Sequence, residues 1–225
     1  MSLIIGIDGP AGSGKGTITK KVAEKLNLVY IDTGAMYRSV ALEAIRENIV
    51  DDSEKITKMS KNITISFDEN GNTYLNGENV SNEIRSKEVT SIVSQISSIV
   101  PVREEMVKGQ RKLAEGLNVI MEGRDITTVV FPNADFKFYL DASVEERTNR
   151  RVKQNEEKGI FSDYEEIKKS IEDRDYNDMH KEVGALKRTN EQIYIDSTNM
   201  SIDEVVDFII KRVGEVKWNI WVMMI

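Results

Sequence analysis

The sequence has no cysteine and a single histidine, His180, among its 225 residues. Without cysteine the chain forms no disulfide bond and has no thiolate nucleophile, and one histidine makes a structural zinc site very hard to build. It also shows no serine, histidine and aspartate set for acyl transfer, and neither internal repeats nor low-complexity segments. These absences remove the common forms of covalent and zinc-based catalysis.

Basic residues are also fewer than acidic ones: the sequence has 31 lysines and arginines and 38 aspartates and glutamates, so its formal net charge is -7. This balance argues against nucleic acid or an anionic membrane as the main partner, so functional basic groups must be arranged locally.

The apolar end, Trp218 to Ile225, is far shorter than the ~20 residues of a membrane-spanning helix. The chain opens directly on a predicted strand and leaves no room for a signal peptide, so we expect a monomeric cytoplasmic protein.

A glycine-rich stretch follows the apolar run Leu3 to Ile7, and an amphipathic helical pattern follows the stretch. It reads Gly9-Pro10-Ala11-Gly12-Ser13-Gly14-Lys15-Gly16-Thr17. Such a loop points several backbone N–H groups into one concavity at a helix N-terminus, where the helix dipole favours an anion, and the lysine adds a mobile charge. The order of strand, loop and helix is the context that this motif requires, so the stretch predicts a nucleotide phosphate site.

One position of this loop departs from the usual pattern, which places serine or threonine directly after the lysine. Here Gly16 follows Lys15, and Thr17 comes next. We expect the Thr17 hydroxyl to lie near Mg²⁺, directly or through a water molecule.

Four apolar runs alternate with helical patterns and predict a central parallel sheet: Leu28 to Ile31, Asn118 to Met121, Phe136 to Leu140 and Ile193 to Ile195. Ligands of open parallel sheets bind beyond the carboxyl ends of the strands. Polar side chains follow several of these runs, among them Thr33, Arg124 and Asp125. We therefore expect these residues to face the crevice that holds the phosphate loop.

Two segments do not fit a simple alternation of strands and helices. Residues 63–67 and 74–76 flank an Asn-Gly turn and predict an antiparallel hairpin, which indicates an inserted subdomain. Residues 151–185 are highly charged helices that can bury little surface, which is typical of a mobile lid.

Several motifs together resemble those of bacterial cytidylate kinases, and the similarity runs from about Ile4 to Val213. They are the loop Gly9 to Thr17, Asp32 to Arg38, Gly123 to Asp125 continuing to Pro132, and Leu140 to Ser143 with Arg147, Arg150 and Arg151. The resemblance implies a three-layer α/β/α P-loop fold with a hairpin-containing insert that binds the nucleoside monophosphate. It also implies one domain over residues 1–217, with a core of 1–36, 99–150 and 186–217, an insert of 37–98 and a lid of 151–185. The apolar tail 218–225 lies outside the resemblance.

The activity implied by the resemblance is transfer of the γ-phosphoryl group of Mg·ATP to CMP or dCMP. Lys15, Arg124, Arg147 and Arg150 would be catalytic, and residues Gly9 to Thr17 would bind ATP. The residues implied for CMP are Thr33, Arg38, Ser94, Arg103, Arg124, Asp125, Arg174, Asp178 and Lys181. The base assignment also has a physical reason, because an aspartate accepts from the exocyclic amino group of cytosine, whereas uracil would place an oxygen against it.

Three departures from the family pattern stand out. Lys181 occupies a position where arginine is common, Thr127 replaces a usual glycine, and residues 183–186 lack the usual proline. A lysine does not reproduce the bidentate contacts of an arginine, so Lys181 is either a ligand contact of altered strength or a solvated surface charge. Two other functions stay open at this point: another nucleoside monophosphate kinase, and a nucleotide-binding switch without turnover.

Overall fold

The computed structural model describes residues 2–157 and 159–223, with side chains up to residue 215. Its strands are β1 (Ile4–Asp8), β2 (Val29–Asp32), β3 (Ile65–Phe67), β4 (Thr73–Leu75), β5 (Glu78–Asn79), β6 (Val119–Gly123), β7 (Phe136–Asp141) and β8 (Ile193–Asp196). Five of them form a parallel sheet in the order β2-β6-β1-β7-β8. The other three form an antiparallel sheet in the order β3-β4-β5.

Helices account for most of the remaining chain. They are α1 (Lys15–Leu26), α2 (Thr33–Arg46), α3 (Ser53–Ser60), α4 (Lys87–Ile96), α5 (Val100–Ala114), α6 (Val144–Glu156), α7 (Tyr164–Met179) and α8 (Ile202–Met223). A short 3-10 turn covers Glu83–Arg85, and a π-helical turn covers Ile126–Val130. Within the part of the chain that the structure describes, no helix is long and apolar enough to cross a membrane.

The three central strands of the parallel sheet, β6, β1 and β7, are buried on both faces, which explains why they read as continuous apolar runs. On one face, the side chains of β1 and β7 pack against α1 and α8, with Ile5, Phe138 and Val206 fully buried. On the other face, Met121 of β6 packs with Ala114 of α5 and with the π-helical turn. The predicted three-layer α/β/α arrangement is therefore confirmed.

The central strands end on polar residues, one or two positions beyond the predicted apolar runs. Asp8 pairs with Gly123 and with Tyr139 in the sheet, and Asp141 pairs with Asp196. The backbone ladder continues past the last apolar side chain because hydrogen bonding does not depend on side-chain polarity. These strand ends therefore hold polar side chains rigidly at the carboxyl edge of the sheet.

The insert between α2 and α5 contains the predicted hairpin and two elements that were not predicted. Strands β3 and β4 pair in the register Ile65 with Leu75, and β5 adds a third strand of only two residues. Helix α3 is also new; its N-cap Asp52 accepts a hydrogen bond from the backbone of Lys55. Its length of 8 residues gives the sequence too few turns to show a helical period.

The insert shares a hydrophobic core with α2, the helix that follows the second strand. This core includes the fully buried Val40, Ile56, Ile84 and Ile96. The predicted boundaries of the core, insert and lid stay a prediction. Helix α8 continues to Met223, but the side chains of the predicted apolar tail, 218–225, lie outside the described residues.

Candidate functional site

The glycine-rich loop curves from the end of β1 into the start of α1. Gly12 and Gly14 have φ values of +76° and +86°, a left-handed backbone that glycine adopts without strain. Gly14 is the N-cap of α1, and no side chain caps its first turn. The N–H groups of this helix end are therefore free to receive an anion.

Lys15 is buried and folds back over the loop that precedes it. Its Nζ donates to the carbonyl oxygens of Gly9 at 2.8 Å and Pro10 at 2.7 Å. Burial, together with the nearby positive charge of Arg124, lowers the pKa of Lys15 to about 7. A bound phosphate would favour the charged ammonium, so the site is built to gain stability from an anion.

Gly16 explains the departure from the usual loop pattern. A Cβ at this position would lie 2.9 Å from Oε1 of Glu122, so a serine or threonine here would require the Glu122 carboxylate to move. Glu122 is the penultimate residue of β6, and its Oε1 accepts a hydrogen bond from the Tyr30 hydroxyl at 2.5 Å. Burial raises the pKa of Glu122, and the neighbouring Asp32 carboxylate raises the pKa further.

Whether the residues near the phosphate loop could bind Mg²⁺ is judged from the ligands that this ion usually takes. Mg²⁺ keeps several water ligands and takes one or two protein carboxylates together with substrate phosphates. Among the described residues, no group of three or more histidine, cysteine, aspartate or glutamate side chains is arranged to hold a metal. Thr17 is exposed in the first turn of α1 and lies next to the predicted phosphates. The residues present fit a metal that enters with the nucleotide.

Arg147 holds the phosphate loop against the charged helices. Its Nη1 donates to the carbonyl of Ala11 at 2.8 Å and forms a buried ion pair with Asp175, and its Nε donates to the carbonyl of Ala142 at 2.9 Å. Asp175 in turn accepts a hydrogen bond from the backbone N–H of Ala11 at 3.0 Å. Arg147 and Asp175 thus position the loop, and a direct contact of Arg147 with ATP stays a prediction. Sequence reasoning did not assign Asp175.

Arg150 approaches the same loop from the next turn of α6. Its Nη1 lies 3.4 Å from the carbonyl oxygen of Ser13, and its Nη2 donates to the carbonyl of Ser197 at 2.6 Å. An ion pair with Glu146 at 2.8 Å holds the guanidinium from the other side. The side chain therefore lies beside the loop, and its contact with the ATP phosphates stays a prediction.

Three arginines line the crevice across from the loop. Arg38 pairs with Asp32 at 2.9 Å, and Arg124 pairs with Asp178 at 2.7 Å. Arg174 has no ion pair among the described residues; burial, together with the positive charge of Arg124, lowers its pKa to about 10. This excess of positive charge beside the loop suits a second phosphate group.

Arg103 and Asp125 form a buried ion pair at the inner end of the crevice, and both side chains are less than a tenth exposed. Two buried polar atoms in the residues predicted to read the base have no hydrogen-bond partner: Oγ of Ser94 and Nε of Arg103. Since buried polar atoms are normally paired, these atoms are suited to a polar ligand. Thr33 lies nearby but donates to the backbone carbonyl of Glu122 at 2.6 Å.

Lys181 is buried and makes two contacts of 2.8 Å, one with Oγ of Ser97 and one with Oδ1 of Asp178. It is therefore not a solvated surface charge. Burial alone would raise the pKa of Asp178, but Arg124 and Lys181 hold that pKa below its usual value. Asp178 thus forms ion pairs with both Arg124 and Lys181 at the edge of the crevice.

Asp8 is a buried carboxylate that sequence reasoning missed. It accepts hydrogen bonds from the backbone N–H of Ile126 at 2.8 Å and of Thr127 at 2.9 Å, and from the Thr127 hydroxyl at 2.6 Å. Burial raises the pKa of Asp8, while these hydrogen bonds oppose the rise. The contacts fix the turn that follows Asp125, and Thr127 uses its hydroxyl where the family commonly has glycine. A charged residue at the end of an apolar strand was the available signal.

Comparisons with known proteins extend these observations to nearly the whole chain. A profile of the family described as cytidylate kinase matches residues 5–215. Cytidylate kinase from Fusobacterium nucleatum subsp. nucleatum is 46% identical over 217 residues, covering 96% of this chain and 99% of that protein. Cytidylate kinase from Desulforamulus reducens is 48% identical over 216 residues, covering 95% and 97%.

Among solved structures, an uncharacterized protein from Eubacterium ventriosum aligns with a TM-score of 0.54 and 13% identity, covering 96% of this chain and 99% of that one. A likeness at this identity concerns the fold alone. The sequence relatives carry more weight because they are 46% and 48% identical to this chain over almost their entire length. The resemblance read from the motifs is confirmed: the chain belongs to the cytidylate kinase family.

Proposed function

We propose that this chain transfers the γ-phosphoryl group of ATP to CMP or dCMP, giving ADP and CDP or dCDP. The observation that carries the proposal is the placement of two anion sites at one edge of the sheet. The phosphate loop follows β1, and Arg38 and Arg124 follow the neighbouring strands β2 and β6. A donor and an acceptor phosphate bound there would face each other.

On the donor side, the N-terminus of α1 and Lys15 bind the outer phosphates of ATP. Nucleotide binding would draw the Lys15 ammonium from the carbonyls of Gly9 and Pro10 onto a phosphate oxygen. Arg150 stands at the loop, where it would neutralise charge that develops on the transferred group. We propose that the Thr17 hydroxyl approaches Mg²⁺, which supplies further charge neutralisation when it accompanies ATP.

On the acceptor side, Arg38, Arg124 and Arg174 would orient the monophosphate of CMP. One of its oxygens forms the new bond to the γ-phosphorus, while the bond to the bridging β-γ oxygen breaks and ADP leaves. The acceptor oxygen is ionised near neutral pH, so the reaction needs no general base. Positioning and charge neutralisation then supply most of the rate enhancement.

Cytosine would be recognised by Ser94, Arg103 and Asp125. The Asp125 carboxylate accepts from the exocyclic amino group, and Arg103 donates to the ring acceptors. The unpartnered Oγ of Ser94 and Nε of Arg103 would gain partners in the complex. Thr33 and Asp178 lie near the phosphate and sugar, and we propose that Lys181 adds a contact there.

A coupled assay for ADP formation with CMP, dCMP, UMP, AMP and dTMP tests this function. We expect the highest kcat/KM with CMP or dCMP. A preference for AMP or dTMP would assign the chain to a different nucleoside monophosphate kinase activity. No diphosphate product with CMP, even at high enzyme concentration, would favour a nucleotide-binding switch. We further propose that the enzyme acts as a cytoplasmic monomer, for which light scattering should give a mass near 25.5 kDa.

A further inference from the structure

The segment from Lys181 to Leu186, which follows α7, is fastened at both of its ends. Lys181 contacts Oγ of Ser97 in the segment that leads to α5. The backbone N–H of Leu186 donates to the carbonyl of Asp178 at 2.8 Å, and the Leu186 side chain is buried. The segment is therefore held at both ends, and its middle residues have a defined position.

Gly184 lies in the middle of this segment, directly against the buried pair of Arg103 and Asp125. Its φ is +68°, and a Cβ built on it would overlap Nη2 of Arg103 and Oδ2 of Asp125. A side chain at this position is thus excluded twice, once by the backbone conformation and once by its neighbours.

The two side chains under Gly184 have little room to move aside. Arg103 donates to the carbonyl of Ser97 at 3.2 Å, and its guanidinium lies 5.5 Å from the centre of the Tyr37 ring. The Arg103 and Asp125 side chains are only 4% and 7% exposed. Any group added to Gly184 must therefore displace the pair itself rather than a flexible surface side chain.

We propose that Gly184 is a positioning residue for base recognition. Its missing side chain lets residues 181–186 close directly over Arg103 and Asp125 and hold them in the geometry that reads cytosine. This role rests on the proposed function, because it assumes that the pair contacts the base of CMP. Under this proposal residues 183–186 contribute to selectivity for the base, whereas Arg38, Arg124 and Arg174 bind the phosphate.

The chain offers a closely matched control for this role. Gly159, in the loop between α6 and α7, has a φ of +69°, and a Cβ there would meet nothing within 4 Å. Gly159→Ala and Gly184→Ala thus impose the same backbone strain within the same predicted lid. Only Gly184→Ala adds an overlap with the Arg103 and Asp125 pair.

The test measures kcat/KM for CMP and UMP, and the KM for ATP, in the unmodified enzyme and both variants. We expect Gly184→Ala to lower the ratio of kcat/KM for CMP to that for UMP by about tenfold, since displaced base contacts weaken discrimination. Gly159→Ala should leave this ratio unchanged, and ATP should keep its KM in both. An unchanged ratio in Gly184→Ala would overturn the proposal, and so would equal changes in both variants.

A stability cycle keeps the proposal testable if Gly184→Ala alone fails to fold. An Arg103→Ala background removes the overlapped guanidinium and leaves only the overlap with Asp125, so Gly184→Ala should lower the Tm less in that background than in the unmodified chain. An equally large loss in both backgrounds would show that Arg103 is not what Gly184 accommodates. If the unmodified enzyme does not phosphorylate CMP, the proposed function fails instead, and the stability cycle still reports on the contact.

Discussion

Replacing Asp125 with asparagine tests how the buried pair at the base site combines stability with recognition. The change keeps the size of the side chain but leaves the guanidinium of Arg103, only 4% exposed, opposite a neutral amide. Removing one partner of a buried ion pair typically costs about 3–5 kcal/mol in the free energy of unfolding. Each kcal/mol shifts the Tm of a chain of 225 residues by about 2–4 °C, so we expect a fall of about 6–20 °C.

The same change should separate the two nucleotide sites. The amide of asparagine can present a donor where the carboxylate accepts from the amino group of cytosine, so CMP binding should weaken more than about tenfold. ATP binds at the phosphate loop and should keep its affinity within about twofold, because the effects of separated sites are nearly independent. Isothermal titration calorimetry with each nucleotide measures both values.

A double variant distinguishes recognition from stability. Arg103→Met combined with Asp125→Asn removes both charges, and replacing a buried pair by uncharged groups is often close to neutral for stability. We expect the double variant to recover much of the lost Tm without recovering CMP affinity. Equal losses of CMP and ATP affinity in Asp125→Asn would refute the placement of this pair at the base, as would recovery of CMP affinity in the double variant.

Four further expectations concern the phosphate loop and the lid. Lys15→Ala should abolish turnover while circular dichroism shows a folded chain; retained activity would contradict the donor-site assignment. Since the pKa of Lys15 is lowered to about 7, ATP binding above that pH should take up a proton. The binding enthalpy should then depend on the ionisation enthalpy of the buffer, and Lys15→Arg should remove this dependence. Asp175→Asn should raise the KM for ATP but not for CMP, because a neutral amide loses the buried ion pair with Arg147, which itself contacts the loop at Ala11. Lys181→Arg should lower the KM for CMP, since a guanidinium can serve Asp178 and a ligand oxygen together; an unchanged KM would limit residue 181 to contacts within the protein.

The central sheet and its phosphate loop could be predicted because their signals are local. Apolar runs mark strands that are buried on both faces, and the spacing of Ile18, Val22 and Ala23 marks the buried face of α1. Helix α3 and strand β5 escaped prediction because neither is long enough to show a period. The position of α3 depends on packing against α2, and that of β5 on pairing with β4, neither of which a local pattern contains.

The site residues show the same difference between local motifs, which the sequence reveals, and long-range contacts, which it does not. The residue types needed to bind two phosphates and a base were recognisable from the motifs that contain Lys15, Arg38 and Arg124. Asp8 and Asp175 were not, because each acts on residues far away in the sequence: Asp8 on the turn after Asp125, and Asp175 on the phosphate loop. For a single carboxylate in a strand or a charged helix, the local sequence does not indicate which distant residue it will contact.

The sequence by itself determined the order of the parallel strands and the helices between them, the phosphate loop and the family, because these depend on residues that are neighbours or share a short period. Only the tertiary structure decided which charges are paired and which stay available. In the folded chain Lys181 contacts Ser97, Arg147 donates to the phosphate loop, and Gly184 lies against the Arg103 and Asp125 pair. These outcomes depend on where the chain returns in space, and burial then gives each contact its energetic weight.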